Sequence, residues 1–234
     1  MNELWPFEDK VRHPTNTPER RWQVCGRPPR TDDYSFDEVE ATSETAWLQR
    51  WSSLIWSRME VGVPSSVILC GPSGAGKTGL AISAMRVRVQ GCAGSLAGWN
   101  MMTDVIPHPP VTRGPLPAPV WFETWLDLQA RLRLARRLSR YHDDMPSPDE
   151  MMEELVNCLD LLVLDDIDIG GYSPAKEIDL LTLQRRIDLR KRTIYTTNAL
   201  PETWKTQFGE RLADRWSDPR FVQIIALERP SLRR

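Results

Sequence analysis

Gly71-Pro72-Ser73-Gly74-Ala75-Gly76-Lys77-Thr78 matches the pattern GxxxxGK[ST] at every fixed position. An apolar run of β type, Val67-Ile68-Leu69-Cys70, leads into it. Gly79-Leu80-Ala81-Ile82-Ser83-Ala84-Met85 follows, with the composition of a helix. Strand, glycine-rich loop and helix in that order are the setting in which this pattern binds phosphate. The glycines let the main chain curl until successive N–H groups converge, and the helix start adds partial positive charge at the same point. Lys77 supplies a mobile cation for the β- and γ-phosphates of a nucleotide, and the Thr78 hydroxyl is a ligand for Mg²⁺.

Downstream, Leu161-Leu162-Val163-Leu164 is an unbroken apolar run followed by Asp165-Asp166. Such a run suits a strand buried on both faces, which implies a parallel sheet. Two carboxylates at its end are costly unless they meet a cation or water. In a phosphate-loop protein, Asp165 is placed to hold Mg²⁺ and Asp166 to orient or deprotonate the attacking water. A third buried strand is expected at Thr193-Ile194-Tyr195-Thr196-Thr197, ending in Asn198. Asn198 is either a turn former or, beside a nucleotide, a residue that positions water on the γ-phosphate.

The rest of the chain frames that site. With 234 residues, one sizeable α/β core fits, with a short appendage. The net charge of −2 creates no global basic field, so any nucleic-acid contact must come from local patches. No stretch approaches the apolar length of a membrane helix, and a cytoplasmic location is expected. Cys25, Cys70, Cys92 and Cys158 are scattered, so neither a disulfide framework nor a zinc site is indicated. Residues 1–33, rich in Pro, Arg and Trp without periodicity, are expected to be a flexible arm. The domain proper is expected at 34–234.

Helices are expected from about Ser43 to Met59, from Thr124 to Leu138, from Asp149 to Cys158, from Pro174 to Arg190 and from Pro201 to Trp216. A final strand is expected at Phe221–Leu227. The 91–118 stretch, with repeated Gly and Pro, is expected to be an exposed connection. On the expected 124–138 helix, Leu128, Leu132, Ala135 and Leu138 line one side, and Arg131, Arg133, Arg136 and Arg137, with Arg140 just beyond, decorate the rest. Two readings of these arginines stand. One is a solvated face complementing the helix dipole; the other is a phosphate-backbone contact on DNA.

The glycine-rich loop, the Leu161–Asp166 strand and Thr196-Thr197-Asn198 fall in an order and spacing that resemble AAA+ ATPases. The closing segment, Glu210-Arg211-Leu212-Ala213-Asp214-Arg215-Trp216, then a strand, then Ser231-Leu232-Arg233, looks like the DnaC/IstB group of that superfamily. The resemblance spans roughly 34–234. It implies an α/β P-loop NTPase (AAA+) three-layer fold, with a central mostly parallel sheet and no separate helical lid domain. It implies ATP and Mg²⁺ as ligands, with ATP hydrolysis as the reaction. Asn198 matches the sensor I position. Arg215 matches the arginine finger offered to a neighbouring subunit, with Arg211 as the fallback, and Arg233 matches a sensor II-like contact. Members assemble with ATP as rings or spirals on DNA. They load a replicative helicase or assist a transposase. Two departures stand out: only about 35 residues precede the domain, and Asp166 stands where many AAA+ proteins have Glu. The second departure motivates an alternative, a nucleotide-dependent adaptor that hydrolyses weakly.

Overall fold

The computed structural model describes residues 19, 22, 25, 28, 34–39, 41–54, 62–91, 120–138, 147–157, 159–168 and 173–228. Strands β1 (Ser66–Cys70), β2 (Val120–Thr124), β3 (Leu161–Asp165), β4 (Arg192–Thr197) and β5 (Val222–Ala226) form one sheet in the order β2-β3-β4-β1-β5. Every pairing is parallel. Helices are α1 (Ser43–Ser53), α2 (Lys77–Gly91), α3 (Trp125–Leu138), α4 (Pro148–Asn157), α5 (Pro174–Asp188), α6 (Trp204–Phe208) and α7 (Glu210–Trp216).

Side chains alternate along each strand, so one run supplies two cores. Ile68, Cys70, Leu162, Leu164 and Tyr195 face α3 to α7, while Val67, Leu69, Leu161, Val163 and Ile194 face α1 and α2. The result is the expected three-layer α/β fold, with a sheet that is parallel throughout. Much of the tryptophan content is core. Trp216 sits 5.4 Å from the ring centroids of both Tyr195 and Trp204 and 5.1 Å from that of Phe208. Trp204 Nε1 donates to the Ala199 carbonyl at 3.0 Å, which satisfies its buried N–H.

Several expectations are corrected. Helix α1 stops at Ser53, with Leu54 extended (ψ 126°), so its expected continuation to Met59 falls outside the described residues. The helix expected over 201–216 is broken: a 3₁₀ turn, Pro201–Thr203, leads into α6, and Gly209 at φ +93°, ψ 156° separates α6 from α7. Only glycine adopts that conformation readily, so the break is written at one residue. The last turn of α5 carries Arg185 and Arg186. Arg186 is fully buried and donates to the carbonyls of Leu155 (2.6 Å), Leu159 (3.1 Å) and Arg192 (2.7 Å), closing the end of α4. Asp160 accepts from Arg88 and, at 3.3 Å, from Arg192, another buried charge cluster that the sequence pattern concealed.

Part of the expected arm is also core. Trp22 and Cys25 are buried against Val120, Phe122 and the α2 side chains. The Cys25 carbonyl accepts the Phe122 N–H at 2.8 Å, on the outer edge of β2. The 91–118 connection and Arg233 lie outside the described residues, apart from Gly91 at the end of α2.

Candidate nucleotide site

Parallel strands all end on one side, and the order β3-β4-β1 brings three distant segments together there. Gly71, Gly74 and Gly76 hold φ of +142°, +82° and +93°, conformations that glycine alone takes without cost. They turn the chain from β1 into α2 around Lys77, which is 5% exposed. Its ammonium donates to the carbonyls of Gly71 (2.8 Å) and Pro72 (2.9 Å) and to Asn198 Oδ1 (2.8 Å). Burial draws the Lys77 pKa down, and the nearby Asp166, Asp168 and Asp165 act against that.

Thr78 Oγ1 donates to Asp165, 3.0 Å from Oδ1 and 3.1 Å from Oδ2. The Thr196 hydroxyl donates to the same carboxylate at 2.5 Å and accepts the Asp166 N–H at 2.9 Å. Burial, reinforced by Asp166, raises the Asp165 pKa; the hydroxyls of Thr196 and Thr78 and the Lys77 charge oppose the rise. A carboxylate and a hydroxyl at this spacing are hard oxygen donors that suit Mg²⁺, which takes few protein ligands and completes its shell with water and phosphate. Among the described residues there is no His/Cys/Asp/Glu cluster that makes a complete metal cage. Asp166 is half-buried in the left-handed region at φ +53°, which Asp tolerates better than most side chains.

Beside the loop lies a cavity of about 280 Å³ lined by Tyr34, Val39, Thr45, Leu80, Ile225 and Leu227. The Tyr34 ring packs on Gly79, where a Cβ would lie 3.3 Å from it. An apolar slot next to a phosphate loop suits a flat heteroaromatic base. Sequence reasoning missed both this slot and Asp168. Tyr34 and Ile225, which line the slot together, are about 190 residues apart in the chain, so no local pattern joins them. Asp168 was the third acid of Asp165-Asp166-Ile167-Asp168, a spacing with no meaning until the loop is folded.

The structure does not bring every predicted site residue to this point. Arg215 is half-exposed on α7 and lies 3.5 Å from Asp188; Arg211 is exposed on the same helix. Arg131 is removed from the DNA-contact set. It forms a buried pair with Glu123 (Nε to Oε1, 2.6 Å), and its guanidinium lies 5.9 Å from the Trp121 ring. Burial raises the Glu123 pKa, and Arg131 offsets the rise, so each depends on the other. Arg133, Arg136 and Arg137 are exposed on α3, with Arg136 Nη2 3.7 Å from Asp179. Arg140 lies outside the described residues.

No family model matches this chain, and no curated protein matches it by sequence. Solved structures do match in shape. The DnaC helicase loader superposes with a TM-score of 0.59 at 16% identity, over 86% of this chain and 100% of that one. Domain III of the Thermotoga maritima replication initiation protein DnaA gives 0.57 at 17%, over 85% and 68%. AMPPCP-bound DnaA from Aquifex aeolicus gives 0.56 at 13%, over 84% of this chain and 50% of that one. The chain thus spans about half the length of that DnaA structure. At these identities the likeness establishes the fold alone, a three-layer α/β arrangement around a parallel sheet that this chain shares with the DnaC and DnaA structures. Within that fold, the described helices include none long and apolar enough to cross a membrane.

Proposed function

We propose that this chain is an ATP-hydrolysing AAA+ protein that assembles with its own copies on DNA and loads or remodels a partner, a replicative helicase in the first instance. One observation carries the reading. Drawn from three strand ends beside an apolar slot, Lys77 is hydrogen-bonded to Asn198, and Thr78, the next residue, to Asp165. ATP places its base in that slot and its phosphates on the loop amides. Lys77 binds the β- and γ-phosphates, and Thr78 with Asp165 would hold Mg²⁺, which supplies charge neutralisation. Asp166 accepts a hydrogen bond from a water in line with the γ-phosphorus and then takes its proton. The water oxygen bonds to the γ-phosphorus as the bond to the β,γ-bridging oxygen breaks, and that oxygen leaves on ADP, releasing ADP and phosphate. Arg215, exposed on α7, reaches the γ-phosphate of a neighbouring copy, so turnover depends on assembly.

Two observations favour the adaptor reading as the second choice. Asp166 is one methylene shorter than Glu, and it occupies a left-handed backbone position. The same residues fit a transposition helper, which differs only in its client. A single experiment tests the core claim. Lys77→Ala should abolish Mg·ATP binding measured by titration calorimetry, while the wild type binds and releases phosphate faster when DNA is added. Binding without any phosphate release selects the adaptor; no binding by the wild type sinks the proposal.

A further inference from the structure

Asn198 is gripped on two sides by opposite charges. Asp168 Oδ1 accepts its main-chain N–H at 3.0 Å, and Asp168 Oδ2 accepts its side-chain Nδ2–H at 2.8 Å. On the other side its Oδ1 accepts from the Lys77 ammonium. An amide has an acceptor end and a donor end, and its two orientations are nearly equal in shape. Here they are far from equal in energy. Reversal would turn the carbonyl oxygen toward a carboxylate and the amide hydrogens toward an ammonium. With the amide held this way, one Nδ2–H remains without a partner among the described residues.

The described exit of β3 is fastened at two points that do not involve the Asp168 side chain. The Asp166 N–H is held by Thr196 Oγ1 and the Ile167 N–H by the Thr196 carbonyl at 3.1 Å. Those two bonds already fasten the exit of β3 to β4. The bidentate contact with Asn198 is therefore surplus to turn formation.

We propose that Asp168 is a positioning residue for nucleotide sensing: it fixes the Asn198 amide so that its spare N–H is directed at the γ-phosphate group of the bound nucleotide. The inference rests on the ATP-site reading above. It predicts that Asp168 separates triphosphate from diphosphate without adding affinity common to both. A hydrogen bond to a charged oxygen is worth roughly tenfold or more in an equilibrium.

The test uses the full chain and compares affinities for AMPPNP and ADP, each with Mg²⁺, so it does not require turnover. Asp168→Ala and the isosteric Asp168→Asn should leave ADP affinity unchanged and lower AMPPNP affinity about tenfold, matching Asn198→Ala. In a double-mutant cycle, Asp168→Ala on top of Asn198→Ala should cost nothing further, because the first residue acts through the second. Additive losses overturn the proposal, as does an equal fall in ADP affinity or an unchanged AMPPNP affinity. If the wild type binds neither nucleotide, the ATP-site reading fails first, and that result is distinct from all of these.

Discussion

Gly71 offers a quantitative test of how tightly the phosphate loop is built against the sheet. Its φ is +142°, and a Cβ there would lie 3.2 Å from the Leu227 carbonyl carbon, with the oxygen nearer still. That oxygen belongs to main chain. It cannot swing aside as a side chain would, and the Leu227 N–H is tied to the Cys70 carbonyl at 2.8 Å. Gly71→Ala therefore carries two costs. The left-handed backbone costs about 1–2 kcal/mol. Displacing Leu227 forfeits the bond to Cys70, a further ~1–2 kcal/mol. Gly62 separates the terms, because its φ is +91° but nothing lies within 4 Å of a Cβ placed there. Gly62→Ala should cost only the backbone share. For a chain of this size the expected drops in melting temperature are about 4–16 °C for Gly71→Ala and ~2–8 °C for Gly62→Ala, with the first about twice the second. Leu227 also lines the base slot, so Gly71→Ala should weaken nucleotide binding while Gly62→Ala should not. Equal melting temperatures for the two variants would refute the close approach.

Other outcomes follow from the same geometry. Arg215→Ala should leave folding stability within about 1 kcal/mol, since its pair with Asp188 is exposed. It should leave nucleotide affinity intact but cut assembly-stimulated phosphate release by ~10³-fold, measured at several protein concentrations; unchanged turnover would remove Arg215 from that role. Arg133→Glu with Arg137→Glu should weaken binding to any DNA sequence and reduce the slope of log affinity against log salt by about 2. An unaltered slope makes that face of α3 merely solvated. Lys176 is 5% exposed, with its ammonium 5.8 Å from the Trp125 ring and 5.1 Å from that of Phe208. Burial pulls its pKa down to about 8, and Asp168 opposes the shift. Between that value and the unfolded pKa of about 10.4, the unfolded chain keeps a proton that the folded one has released. Stability gained from this group therefore rises with pH across that window, by up to about 3 kcal/mol. Lys176→Met should flatten the rise in urea unfolding between pH 7 and 10; an identical pH profile would contradict the burial argument.

The phosphate loop and the Leu161–Asp166 strand were legible because their signals are local. A strand, three turns of glycine and a lysine lie within a dozen residues, and an unbroken apolar run announces a two-faced burial. Which strands would be neighbours was not legible, since the pairing of β1 with β4 joins residues more than 120 positions apart. Asn198 could be named from the resemblance, but its clamp by Asp168 depends on two loop exits meeting in space. Arg131 looked like its neighbours on the helix, and only the fold shows that Glu123, on the preceding strand β2, takes it inward. The buried roles of Arg186 and Arg192 were hidden for the same reason: a periodic pattern records which face a residue occupies, not which carbonyls await it there. Gly209 was overlooked because the apolar spacing of Trp204, Phe208, Leu212 and Trp216 continues across it, although the backbone does not.

The contact between Cys25 and Phe122 bears on how the protein should be prepared. Strand β2 is the outer rail of the sheet, and an upstream peptide carbonyl occupies one of its outward N–H groups while Trp22 shields the hydrophobic wall behind it. A recombinant fragment beginning at Tyr34 would strip both away. It would leave an uncovered strand margin of the kind that recruits other polypeptides into unintended β pairing. Trimmed versions made for crystallisation should therefore start upstream of Glu19 if they are to stay monodisperse.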